Sequence, residues 1–179
     1  MDVQPEFSKG LDAAVLGVMI ADADKLNWGV KWQVEKFEGD IKEGDTPYEV
    51  IEGEGNLLVN AGIALFEDLL IGAGGIAYNN ANSYLGVGDS NTAASVGQTD
   101  LQAASNKLRK AMDATYPSRA SQTVTWKATF ATGDANFAWE EWAIFNNSTG
   151  GTMLNRKVTS MGTKTSAGSW VLTVTVTIS

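Results

Sequence analysis

Glu140 and Glu141 are adjacent carboxylates set inside an aromatic stretch, Phe137-Ala138-Trp139-Glu140-Glu141-Trp142. Glycoside hydrolysis needs two carboxyl groups about 5–10 Å apart that face one cleft. Neighbours on a strand point to opposite faces, so these two do not form such a pair together. One of them is expected to be a buried or interfacial carboxylate, held by Arg156 or Lys157 on the next strand. The 179 residues contain no histidine and no cysteine. That removes Ser-His and Cys-His nucleophile machinery, disulfides and nearly all zinc chemistry. Carboxylates, lysine, tyrosine or a borrowed metal are what remains for an enzyme.

The other sequence features with chemical potential read as structure. Gly86-x-Gly88 lacks the third glycine and following helix of a phosphate cradle. Gly72-Ala73-Gly74-Gly75 follows an expected helix, and anions bind at the opposite end. Asp89, Asn91 and Asp100, or the acidic loop Glu38–Asp45, offer oxygen ligands for calcium, but neither has EF-hand spacing. No catalytic, cofactor-binding or metal-binding residue is therefore expected. The six tryptophans carry more weight. Aromatic faces fill cores, anchor interfaces and bind sugars. The expected interface set is Leu11, Val15, Val18, Trp28, Trp32, Trp139, Trp142 and Arg156.

The elements that position these residues are mostly strands. Trp28, Val30, Trp32 and Val34 alternate with polar residues, a period of two that reads as a strand with one apolar face. The acidic, glycine-bearing segment 38–47 reads as a solvated loop, and Tyr48, Val50 and Ile51 as a short strand. Asn56 is placed to cap a helix over about 57–71. That helix is apolar nearly all round, which predicts burial between a sheet and another layer. Strands are expected at 83–87, 123–131, 137–145 and 153–160, with 101–112 mixed and helical in part. The turn Asn146–Gly151 is rich in residues that tolerate positive φ. Trp170, Leu172, Val174, Val176 and Ile178 share one face of the clearest strand, with Val171, Thr173, Thr175 and Thr177 on the other. The expected fold is mainly β, with some α: an antiparallel β-sandwich or small barrel with one buried helix. Residues 1–27 are expected to form an N-terminal arm and residues 28–179 the β-rich domain.

Bulk properties limit the function classes. A hydrophobic content of 44% supports a core, and 19% charged residues is too low for a disordered chain. No apolar run is long enough to span a bilayer. The opening Met1-Asp2-Val3-Gln4-Pro5-Glu6 has no basic stretch leading into an apolar one, so no secretory signal is expected. Residues 1–100 carry 17 acidic and 5 basic side chains, and residues 101–179 carry 4 and 8, giving halves of −12 and +4. Such asymmetry can draw copies together head to tail or fit an arm onto a neighbouring subunit, and it equally serves solubility alone. The acidic half repels phosphates, which argues against a nucleic-acid ligand.

From Glu52 onward the chain resembles small virion proteins encoded by tailed bacteriophages. The matching residues include Glu54-Gly55-Asn56-Leu57-Leu58, Leu69–Gly75, Tyr84–Ser90, Gln98–Gln102 and Ala111–Pro117. They continue through Ala128-Thr129-Phe130, Ala135–Trp142 and Gly150–Lys157 to the threonine-rich last strand. The order of these segments is also similar to phage collar and tail-fibre modules. The likeness spans about two-thirds of the chain. It implies a non-enzymatic structural subunit on the particle exterior, assembled in the host bacterial cytoplasm. A capsid decoration, or cement, protein leads. A collar, fibre or minor tail subunit is the alternative, and a carbohydrate-binding or carbohydrate-acting protein a distant third. The implied partners are the major capsid protein or other virion proteins and further copies of the chain, most simply as a trimer, with no nucleic acid, membrane or cofactor.

Overall fold

The computed structural model describes residues 26–179. Leu11, Val15 and Val18, and all of the expected arm but its last two residues, lie outside the described residues. Among the described residues ten strands and one helix follow one another, beginning with β1 (Trp28–Glu38), β2 (Glu49–Glu54), β3 (Leu57–Leu58), α1 (Asn60–Ile71), β4 (Tyr84–Gly88) and β5 (Lys107–Ala111). The remainder are β6 (Ser118–Ala120), β7 (Thr123–Phe130), β8 (Ala138–Phe145), β9 (Met153–Thr163) and β10 (Gly168–Ile178).

The strands form two antiparallel five-stranded sheets that make a β-sandwich. One sheet has the order β2-β1-β10-β7-β6, and the other β3-β9-β8-β4-β5. The longest pairing joins the two ends of the domain, from Trp28 opposite Ile178 to Glu38 opposite Gly168. Two backbone hydrogen bonds between Asn27 and Ser179 extend it.

Period-two alternation drives the packing. Val30, Trp32 and Val34 of β1, Trp126, Ala128 and Phe130 of β7, and Trp170, Leu172, Val174 and Val176 of β10 all point inward. From the opposite sheet come Leu85, Val87, Trp139, Trp142, Ile144 and Met161. Trp139 packs edge-on against both Phe130 and Trp170, with ring centroids 4.7 and 4.9 Å away. The outer face of the first sheet is wet. There Thr123 pairs with Thr177 and Thr125 with Thr175 through their hydroxyls.

The second sheet is covered on both faces, which explains why β8 is apolar on both sides. Ala143, Phe145 and Met153 turn away from the sandwich and join Val59 and Leu101 in a second, smaller cluster. The segment between β4 and β5 closes over this outer face. It contains no helix, so the part-helical expectation for 101–112 gives way to a packed loop followed by β5.

The expected helix over 57–71 is shorter. Leu57 and Leu58 pair with Arg156 and Asn155 as β3, and α1 begins at Asn60. Asn56 does not cap it. Val59 holds the N-cap position without a side-chain cap bond, and the Asn56 side-chain oxygen accepts a hydrogen bond from the Trp28 indole at 3.2 Å. At the other end Gly72 takes a left-handed φ of 72°, and the Ala73 amide closes on the Asp68 carbonyl. One side of α1 lies against β9. Gly62 permits the approach: a Cβ there would sit 2.3 Å from the Leu154 carbonyl oxygen. Only Gly62 and Leu65 of the helix are fully buried. No other layer covers its far side among the described residues, so the burial expected all round is one-sided.

Candidate interaction surface

A flank of α1, beside the Gly62–Leu65 face, carries Ile63, Phe66 and Leu70, an i, i+3, i+7 stripe. All three are exposed, and so are Leu69, Ile71, and Ile76 in the segment after the helix. Leu70 and Ile71 keep 75% and 77% of their surface. Val96, whose carbonyl accepts the Asn60 amide at the helix start, adds another exposed side chain. Contiguous exposed apolar side chains of this kind are what a candidate interaction surface is made of. Sequence reasoning missed these residues because it assigned the apolar surplus of this segment to burial. The surplus was visible; its direction was not.

The carboxylate question resolves into two separate environments. A register shift of β8 against β9 falls between Trp139 and Glu141. Glu140 stays at the surface, where its carboxylate accepts from the Ser160 hydroxyl. Glu141 is fully buried and accepts from the Arg156 guanidinium at 2.6 Å. Its oxygens also accept the Gln102 and Ala103 amides at 3.0 and 2.8 Å. Arg156 in turn donates to the Thr92 carbonyl and the Gln98 side chain. The pair thus ties the loop between β4 and β5 to the sheet at four points. It holds the loop from both ends, beside the helix start that Val96 contacts.

A second polar cluster stands near the end of this loop. Burial favours the neutral form of Asp100. Hydrogen bonds from Arg109, Lys107 and the Leu101 amide outweigh it and hold this carboxyl below the usual aspartate range. Arg109 also stacks its guanidinium 3.5 Å above the Phe145 ring. Asp134 is likewise lowered: desolvation opposes the shift, while Lys110, the Ala131 amide and the charge of Lys164 favour it. Both clusters clamp loops to strands.

The sequence-expected interface residues divide sharply. Trp32, Trp139, Trp142 and Arg156 are buried within their own chain, and their assignment to an interface is corrected. Each spends nearly all of its surface on the sandwich or on the loop clasp. Trp126 and Trp170 are buried as well, which leaves Trp28 alone with a partly exposed ring. A tryptophan platform for glycans is thereby removed for the other five. An open surface groove runs over Lys31, Trp32, Gln33, Glu52, Gly53, Glu54, Thr173 and Thr175. No group of three or more acidic side chains is placed to hold a metal ion among the described residues. No helix among them is long and apolar enough to cross a membrane.

No protein-family model, curated protein or solved structure matches the chain.

Proposed function

We propose that this chain is a structural subunit of a tailed-phage particle, and that it acts as a capsid decoration protein by adhering to the assembled coat. The observation that carries the reading is the uncovered apolar stripe of α1, mounted on a sandwich that fills its own core. The likeness of residues 52–179 to phage virion proteins supplies the class of partner. The work done is physical: many copies bury apolar area on neighbouring coat subunits and oppose the outward pressure of packaged DNA.

Burying a whole side chain of this kind contributes about 1.5–3 kcal/mol, and each stripe residue contributes the share of that set by the surface it still exposes. Polar replacement at two of them is therefore expected to abolish binding at micromolar concentrations. The test mixes the purified chain with coat shells prepared without it and separates bound from free by sedimentation. The parent chain should co-sediment to saturation. Phe66→Ser/Leu70→Ser should remain in the supernatant while keeping its near-ultraviolet circular dichroism. Equal binding by parent and variant overturns the assignment of the stripe, and no binding by the parent overturns the coat as partner.

A further inference from the structure

The charge asymmetry of the sequence becomes a geometric one in the fold. Residues 38–54 carry seven acidic side chains and one basic, whereas residues 107–127 carry five basic and one acidic. The first segment is β2 with the loop before it, and the second runs through β5, β6 and the start of β7. The strand orders put β2 at one edge of its sheet and β6 at the other, with β5 at the edge of the opposite sheet. Lys110 meets Asp134 and the Asp113 amide meets the Lys127 carbonyl, so β5 and β7 share one side of the sandwich. Gly55 hydrogen-bonds Val30, which keeps β2 and β3 together on the other side. The acidic and basic segments are thus at opposite lateral edges.

Both edges retain uncompensated charge. On the acidic side Glu52 is exposed with no ion-pair partner among the described residues, and Glu54 meets only Lys31 at 3.6 Å, both fully open to solvent screening. On the basic side Lys107 and Arg109 are engaged by Asp100 and Lys110 by Asp134. Arg119 of β6 and the half-exposed Lys127 of β7, the strand beside that edge and past the end of β6, have no carboxylate partner among the described residues. The edges also carry backbone groups that a further strand can pair with.

We propose that copies of this chain associate head to tail, the acidic β2 edge of one against the basic β5–β6 edge of the next. Charge complementarity selects the opposite edge and disfavours like edges meeting. The contact is heterologous, so it closes into a ring where the rotation permits.

Sedimentation velocity of the full chain tests this without any phage component, so its outcome is separate from that of shell binding. Self-association should weaken at least about tenfold between about 0.03 and 0.5 M salt, as exposed charges are screened. Glu52→Lys/Glu54→Lys alone and Arg119→Glu/Lys127→Glu alone should each be monomeric. Mixed in equal amounts they should associate again, because the reversed edges match each other. Urea midpoints equal to the parent's establish that both variants are folded. A parent that stays monomeric at low salt overturns the proposal. So does association that ignores salt and both variants but is lost in Phe66→Ser/Leu70→Ser, or a mixture that stays monomeric.

Discussion

Arg156→Met should be among the most damaging single substitutions in the molecule that alter no backbone conformation. The guanidinium and the Glu141 carboxylate are both 0% exposed, and Nε stands 2.6 Å from Oε2. Methionine approximates the aliphatic stem and removes the charge, leaving a buried carboxylate with two amide donors and no cation. Breaking a buried pair in this way costs about 3–5 kcal/mol. A domain of this kind has about 5–15 kcal/mol in total. With a urea dependence of about 2 kcal/mol/M, the unfolding midpoint should fall by about 2 M. Tryptophan fluorescence reports it directly, since Trp139 and Trp142 flank Glu141 in sequence and are buried. The double variant Glu141→Gln/Arg156→Met should recover part of the loss, because no buried charge remains. Amide exchange at Gln102 and Ala103 should accelerate in the single variant, as the loop loses its anchor. Glu140→Gln supplies the control and should lie within about 0.5 kcal/mol of the parent. A cost below about 1 kcal/mol for Arg156→Met, or an equal cost for Glu140→Gln, would refute the clasp.

Other positions give independent checks. Gly62→Ala should destabilise by about 1–3 kcal/mol in urea unfolding, because its methyl group meets the Leu154 backbone; a gain of about 1 kcal/mol from helix propensity alone would show that α1 stands off the sheet. Asp100 and Asp134 have lowered folded pKa values, so the stability they contribute is present above about pH 4 and is lost as pH falls through the folded values. In Asp100→Asn/Asp134→Asn, the difference between urea midpoints at neutral and strongly acidic pH should shrink, and an unchanged difference would contradict the assignment. Deletion of residues 1–27 should abolish attachment to coat shells with the sandwich still folded, as judged by circular dichroism; full attachment by the truncated chain would remove the N-terminal segment from the binding account.

The sandwich was largely legible because alternation survives wherever one face is wet. The final strand, with inward Trp170, Leu172, Val174 and Val176 against outward threonines, declares its register in the sequence. Strand partners were less accessible. β1 and β10 are the first and last strands, and no local pattern encodes a pairing across the whole domain. Short β6, with Arg119 flanked by Ser118 and Ala120, has too few residues to show a period. β8 was recognised as a strand with two apolar faces, but what covers its outer face is a loop whose tie depends on Glu141 and Arg156 meeting across a shifted register. The adjacency of Glu140 and Glu141 correctly implied different surroundings for the two. The interface set failed where it relied on aromatic content. Large side chains at strand positions are drawn first into the chain's own core, as Trp32, Trp139 and Trp142 show. The surface stripe came instead from Ile63, Phe66 and Leu70, in a segment where helical apolarity alone does not distinguish a core from a contact.

The central proposal is adhesion to a phage particle, and the most direct measurement is quantitative mass spectrometry of mature virions purified from a bacterial culture in which this chain is produced. The chain should be present in fixed, high proportion to the major coat protein and should be released intact when the shell is dissociated. Recovery of the chain only from the soluble lysate, with none in the virions, would contradict the account.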